Sequence, residues 1–233
     1  IYKIGGAQAI GALAYGTQTI MPVDKIFGPG NAFLNEAKRQ VYGDVGIDLL
    51  PGPSEVMVIA DSTSRSSYVA AALLSQAEHG SGKEKIFLLF SKESQFQEII
   101  SEINNQISSL RHKDSIKGVL KNGFIAVHLP SYRRIADVAN FIAPEHLELQ
   151  VADDQIEFLT SEITTAGAFL LGHLTSTSLG DFIAGPSHVL PTGRSSRFSS
   201  GLRLSDFLRR TSFIQYDAKS INRAKGAVEL FSQ

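Results

Sequence analysis

Residues 55–80 read EVMVIADSTSRSSYVAAALLSQAEHG, and this stretch decides the fold. Glu55–Ala60 is an almost unbroken apolar run, the pattern of a strand covered on both faces. Asp61, Ser62 and Thr63 supply turn and cap chemistry. Tyr68–Glu78 then reads as an Ala- and Leu-rich helix, and Gly80 stands where a glycine would end it. Working outward, Lys85–Phe90 is a second strand. Phe96, Ile99, Ile100, Ile103 and Ile107 recur on one helical face. Phe124–Leu129 is a strand, Ile135, Val138, Ala139 and Ile142 form a helical stripe, Leu147, Leu149 and Val151 alternate, and Ala166–Leu171 is a further strand. This alternation over residues 55–171 predicts an α/β fold with a largely parallel sheet and helices on both faces.

On the amino-terminal side, Ile1–Ile4 reads as a short strand that Gly5-Gly6 turns into a helix, Ala7–Tyr15. Lys25-Ile26-Phe27 is extended. Asn31, after Gly28-Pro29-Gly30, is placed to cap a helix over Ala32–Tyr42 with Glu36 in its first turn. The Pro/Gly-rich Asp48–Pro53 marks a boundary. On the carboxyl-terminal side the apolar period ends after Gly172, and Thr175–Ser200 reads as one long loop of the kind that carries function. Ser205–Arg210 and Lys219–Phe231 read as helices. Three segments are therefore expected: 1–54, 55–200 and 201–233.

The chain has 233 residues, with 22 Lys and Arg against 23 Asp and Glu, a formal charge of −1. A balance this flat argues against nucleic acid and against an anionic membrane surface as partners. No apolar run reaches the roughly 18 residues of a membrane-spanning helix. There is no Cys, which excludes a thiolate nucleophile, a disulfide scaffold and Cys-based metal sites, and suits a reducing cytoplasm. A metal would need His, Asp, Glu or amide ligands. The chain opens on Ile1 without a signal-peptide pattern, as expected of a chain that starts inside a domain.

Four places carry candidate chemistry. Gln76 and His79 are three residues apart, so they share a helix face at the carboxyl end of their helix, pointing at the rim of a parallel sheet where ligands usually bind. A surface Gln and a His set against the helix dipole would look the same. Glu145 and His146 are adjacent proton-transfer groups in a Pro-bounded turn, suited to acid–base work, or simply polar loop residues after a helix-stopping Pro. Asp181 and His188 sit seven apart in the Gly/Pro-rich loop, where Asp181 could join His79 at a metal or serve plain turn structure. Gly5-Gly6-Ala7-Gln8 and Gly28-Pro29-Gly30-Asn31 could each offer N–H groups to a pyrophosphate, although neither matches G-x-G-x-x-G. His112, His128 and His173 have no companions at useful spacing.

Taken in order, GGAQAIGALAYG, VDKIFGPGNAF, EAKRQVYG, DLLPGPSEVMVIAD, LLSQAEHG, APEHLEL and GDFIAGPSHVLPTG resemble histidinol dehydrogenase over essentially the whole chain. The resemblance implies two Rossmann-like domains, the first incomplete here, and a zinc-dependent homodimer with active-site residues shared between chains in the cytoplasm. It implies oxidation of L-histidinol to L-histidine through bound L-histidinal with two NAD⁺, late in histidine biosynthesis. It implies zinc ligation by Gln76, His79 and Asp181, acid–base work by Glu145 and His146, substrate contact by Ser54 and His188 as well as Gln76, His79, His146 and Asp181, and NAD contact by Gln8 and Asn31. Family members have a long segment before GGAQ and a further zinc-binding His beyond Gln233. The chain is thus expected to be the central and later portion of the enzyme, inactive or weakly active alone. Ser187 replaces the usual Asn. Two rivals remain at this stage: a zinc hydrolase using Glu145 to activate water, and a non-catalytic metal-binding remnant.

Overall fold

The computed structural model describes residues 1–232. It opens with helix α1 (Gly6–Tyr15), strand β1 (Lys25–Ile26), helix α2 (Ala32–Val41) and strand β2 (Gly46–Ile47). The strands pair in parallel, Lys25 with Gly46 and Ile26 with Ile47. Ile10, Ile26, Val41 and Val45 close a small core beneath them. Ile1–Ile4, expected as a strand, is exposed and joins neither sheet; the Tyr2 hydroxyl donates to the Thr19 carbonyl at 2.9 Å. Asn31 does cap α2, its side chain accepting from Leu34 N–H at 3.0 Å. Glu36 falls beyond the first turn and pairs instead with Arg39.

A buried ion pair braces this region. Lys38, 0 % exposed, donates to the Gly28 carbonyl at 2.7 Å, the Leu49 carbonyl at 3.2 Å and the Asp48 carboxylate. Asp48 in turn accepts from Gly28 N–H at 2.7 Å. All three ammonium hydrogens are engaged, which is what makes so complete a burial of Lys tolerable.

The larger sheet holds β3 (Glu55–Ala60), β4 (Lys85–Phe90), β5 (Phe124–His128), β6 (His146–Gln150) and β7 (Ala168–Leu171), in the order β5-β4-β3-β6-β7. Every pairing is parallel. Helices α3 (Ser66–Ala77), α4 (Glu93–Ile107) and α5 (Lys113–Gly123) share one core with Val56, Val58, Ile86 and Leu88. Helices α6 (Tyr132–Ile142) and α7 (Asp153–Glu162) pack on the other face, against Met57, Ile59, Leu147 and Leu149. This is the expected α/β architecture. Two crossover helices, α5 and α7, had no counterpart in the sequence reading, because each turns only a few apolar residues inward. The expected loop over Thr175–Ser200 contains a short helix, α8 (Thr177–Phe182), and a 3₁₀ turn at Ser195–Arg197.

Residues Ile1–Leu202 form one compact unit and Arg203–Gln233 another. In the second, the expected helix at Ser205–Arg210 is only a 3₁₀ turn, Leu204–Phe207, and α9 (Ala218–Phe231) is capped by Asp217 accepting from Ser220 N–H. No helix of the described residues is long and apolar enough to cross a membrane.

Candidate active site

Parallel strands that begin together place their entry residues along one edge. Ser54 precedes β3, while Glu145 and His146 lie at the start of β6. Helix α3 runs from the carboxyl end of β3 back toward the amino end of β4, so its last turn returns to this same edge. Gln76 and His79 therefore arrive at the amino edge of the sheet. The carboxyl rim expected from the sequence is on the opposite side, where Asp61 is buried and satisfied by Thr63, Tyr132 and the Ala152 N–H.

A cleft of about 290 Å³ opens on the amino edge. Ser54, Gln76, His79, Glu145, His146, Asp181 and His188 all line it. Segments distant in sequence by more than a hundred residues thus converge on one space. Gln8 and Asn31 are exposed and lie outside this lining, although Pro29 and Gly30, immediately before Asn31, form part of the wall.

Main-chain geometry fixes the acid–base pair. Glu145 Oε2 accepts from Glu55 N–H at 2.8 Å. His146 Nδ1 stands 3.3 Å from the Glu55 carbonyl, and Nε2 3.2 Å from Asp181 Oδ1. A carbonyl and a carboxylate both only accept, so each ring nitrogen faces an acceptor; in the neutral ring one of the two carries the hydrogen, and Nε2 is the nitrogen turned toward Asp181. Glu145 and His146 are each 5 % exposed. Burial pushes the Glu145 carboxyl up to about 8. The Glu55 N–H pulls it back, and the charges of Glu55 and Asp181 add to the rise. The turn itself is tightly drawn: Ala143 takes the left-handed conformation at φ 51° to end α6, and Gly167 N–H and Ala168 N–H bond the carbonyls of Pro144 and Glu145.

Ser54 Oγ and His79 Nε2 are 3.4 Å apart on the facing wall. The fourth wall is Val189–Thr192, where Thr192 Oγ1 accepts from Gly52 N–H. Sequence reasoning missed Glu55. Its side chain accepts from Gly193 N–H at 3.2 Å and faces Lys85 Nζ at 3.6 Å, while its main chain holds both Glu145 and His146. A charged residue opening an apolar strand was the signal that could have found it. Among the described residues, no three His, Cys, Asp or Glu side chains cluster tightly enough by themselves to hold a metal ion. Gln76, an amide, lines the same cleft as His79 and Asp181.

A sequence model of histidinol dehydrogenase matches residues 1–233, the whole chain. The chain belongs to the histidinol dehydrogenase family. It is 44 % identical over 228 residues to the histidinol dehydrogenase of Clostridium acetobutylicum, covering 98 % of this chain and 52 % of that one. Against the Ruegeria pomeroyi histidinol dehydrogenase it is 50 % identical over 213 residues, 91 % of this chain and 48 % of that one. The crystal structure of histidinol dehydrogenase from Elizabethkingia anophelis superposes with a TM-score of 0.92 at 39 % identity, over 100 % of this chain and 53 % of that chain. The chain thus spans about half the length of the histidinol dehydrogenases it matches. An acetylating aldehyde dehydrogenase from Geobacillus thermoglucosidasius shares the fold alone, at 13 % identity and a TM-score of 0.52 over 84 % of this chain and 57 % of that chain.

Proposed function

We propose that this chain carries the acid–base and metal-binding part of an enzyme that oxidises L-histidinol to L-histidine through bound L-histidinal with two NAD⁺, in histidine biosynthesis. The observation that carries this reading is the convergence of Ser54, Gln76, His79, Glu145, His146, Asp181 and His188 on one cleft in a chain of this family. Residues 1–54 are read as part of the NAD-binding domain, with Gln8 and Asn31 toward the dinucleotide. Residues 55–200 are read as the catalytic domain and 201–233 as the beginning of a carboxyl-terminal segment. The working form is read as a cytoplasmic homodimer.

Zinc fits the donor set by its chemistry: an imidazole nitrogen from His79, a carboxylate from Asp181 and an amide oxygen from Gln76 suit a borderline cation. Bound there, zinc would supply a charged template for the substrate's nitrogens and no redox chemistry. NAD⁺, on the side of Gln8 and Asn31, would supply the hydride acceptor for each oxidation. The chain's own residues do the rest. His146 takes the hydroxyl proton at Nε2 as hydride leaves carbon, giving the aldehyde. Glu145 draws a proton from water as the water oxygen adds to the aldehyde carbon, and His146 returns its proton to the aldehyde oxygen, which gives the hydrate and frees the imidazole for the second oxidation. The resulting hydrate loses its O–H proton to His146 and its C–H as the second hydride, giving the carboxylic acid. A carboxyl held near 8 is a stronger base once ionised than an ordinary carboxylate, which suits water activation. The hydrolase rival shares the metal and the base but needs no hydride acceptor.

Single-turnover NADH formation tests the reading, in a protein of the relatives' full length that contains this chain. His146→Asn should slow both oxidations, by about 10²–10⁴-fold. Glu145→Gln should slow histidinol conversion to histidine, and histidinal oxidation to a similar extent, while the first hydride transfer from histidinol survives. Loss of the first hydride transfer in Glu145→Gln as complete as loss of the second would overturn this division of labour. Absence of any NADH signal from the unsubstituted protein would favour the hydrolase.

A further inference from the structure

Helix α8 carries Asp181 yet buries none of its residues, so apolar packing does not decide where it lies. Leu179, Phe182 and Ile183 are exposed. Ser176, at its N-cap, makes no side-chain capping bond. The helix is held instead by strand β6. Leu147 and Leu149 of β6 fill the core under α6 and α7, so the alternate residues His146, Glu148 and Gln150 share the opposite face. Glu148, 1 % exposed, accepts from the Thr177 N–H at 2.7 Å and the Thr177 hydroxyl at 2.8 Å. Its other oxygen accepts from Gln150 Nε2 at 3.1 Å, which fixes the carboxylate plane. Two residues earlier in the strand, His146 Nε2 meets Asp181 Oδ1, four residues later in the helix.

The two spacings match. Two strand residues advance about 6.6–6.8 Å, and four helical residues rise about 6 Å. Strand and helix therefore meet in two rungs, Glu148 with Thr177 and His146 with Asp181. The first rung satisfies a helix-start N–H that has no partner within the helix. At Gly180 a Cβ would lie 3.2 Å from Leu170 Cδ2, so the helix also lies close against β7.

We propose that Glu148 and Thr177 are positioning residues whose hydrogen bonds dock α8 on β6 in the register that brings Asp181 to His146. The inference deepens the proposed function, since its consequence for metal binding rests on Asp181 serving as a ligand. It is tested by amide exchange over residues 177–183 and by calorimetric titration with zinc alone, on the whole protein. Thr177→Val, which removes the hydroxyl and keeps the N–H, should speed exchange about tenfold and weaken zinc about 10–100-fold. Thr177→Ser should restore both. Glu148→Gln, checked for retained fold by circular dichroism, should move both in the same direction as Thr177→Val. Unchanged exchange in Thr177→Val, or in a folded Glu148→Gln, overturns the docking role. Faster exchange with unchanged zinc affinity upholds the docking and overturns the assignment of Asp181 as a ligand, so the two failures are distinguishable.

Discussion

At the scale of single residues, Glu145 is the most perturbed group in the cleft, and its perturbation has a direction that can be measured. In the folded protein it holds its proton up to about pH 8, against a usual value of 4.5. The stabilisation of the protonated, buried form is complete below about pH 4.5 and is lost as pH rises through 8. Metal-free protein should thus lose stability across this window, on the order of 3–5 kcal/mol, and Glu145→Gln should flatten the profile. Denaturant melts at several pH values check this; a wild-type curve parallel to that of Glu145→Gln would show that burial does not raise the group. Buried Lys38 makes a second residue-scale prediction. Asp48→Asn leaves its charge without a counterion, and removing one partner of a buried pair costs about 3–5 kcal/mol. Measured stability within about 1 kcal/mol of wild type would contradict it. The site residues were legible because their types were unusual for their places: a Gln and a His at a helix end, a Glu and a His after Pro144, an Asp among glycines. Glu55 and Lys38 were not legible, because their roles depend on main-chain partners that no spacing reveals.

At the scale of elements, two glycines mark how closely adjacent strand entries approach. A Cβ at Gly167 would lie 2.6 Å from the Glu145 carbonyl oxygen, and a Cβ at Gly123 would strike the Glu84 carbonyl. Either substitution to Ala forces the backbone apart, at a cost of about 1–3 kcal/mol. Only Gly167→Ala disturbs the carbonyl beside the acid–base pair. It should lower both melting temperature and turnover, whereas Gly123→Ala should lower melting temperature alone; equal losses of turnover in the two would sink this distinction. The strands were readable from the sequence because a sheet covered on both faces demands apolar runs such as EVMVIA. Helix α7 was not, since DDQIEFLTSE buries only Leu159 completely. Its acidic first turn was a usable sign, and so was geometry: the parallel neighbours β6 and β7 cannot be joined without a crossover. Helix α8 had no periodic signal to find, because polar bonds hold it.

At the scale of the whole molecule, the sequence reading had the fold class right and the edge of the sheet wrong. A helix that follows a strand in a parallel sheet returns to the opposite edge, so residues at its carboxyl end face the amino edge. The expectation that ligands favour the carboxyl edge ran against that topology. Ligand binding should register on the fold as a unit. If zinc binds as proposed, saturation at 100 times its dissociation constant should stabilise by about 2.7 kcal/mol, and chelation should reverse it. His79→Ala should remove the zinc-dependent shift; a shift of unchanged size would move the metal elsewhere. The cleft also has an uneven construction. Strand entries and a helix end anchor part of it, while Pro29–Gly30, Pro51–Pro53 and Val189–Thr192 come from irregular chain. A ladder of main-chain bonds leaves strand entries no slack, and a change there disturbs the sheet. A protein engineer recasting this pocket for another amino alcohol would therefore vary Val189 and Leu190 first, and leave the strand entries, His188 and the Thr192 anchor alone.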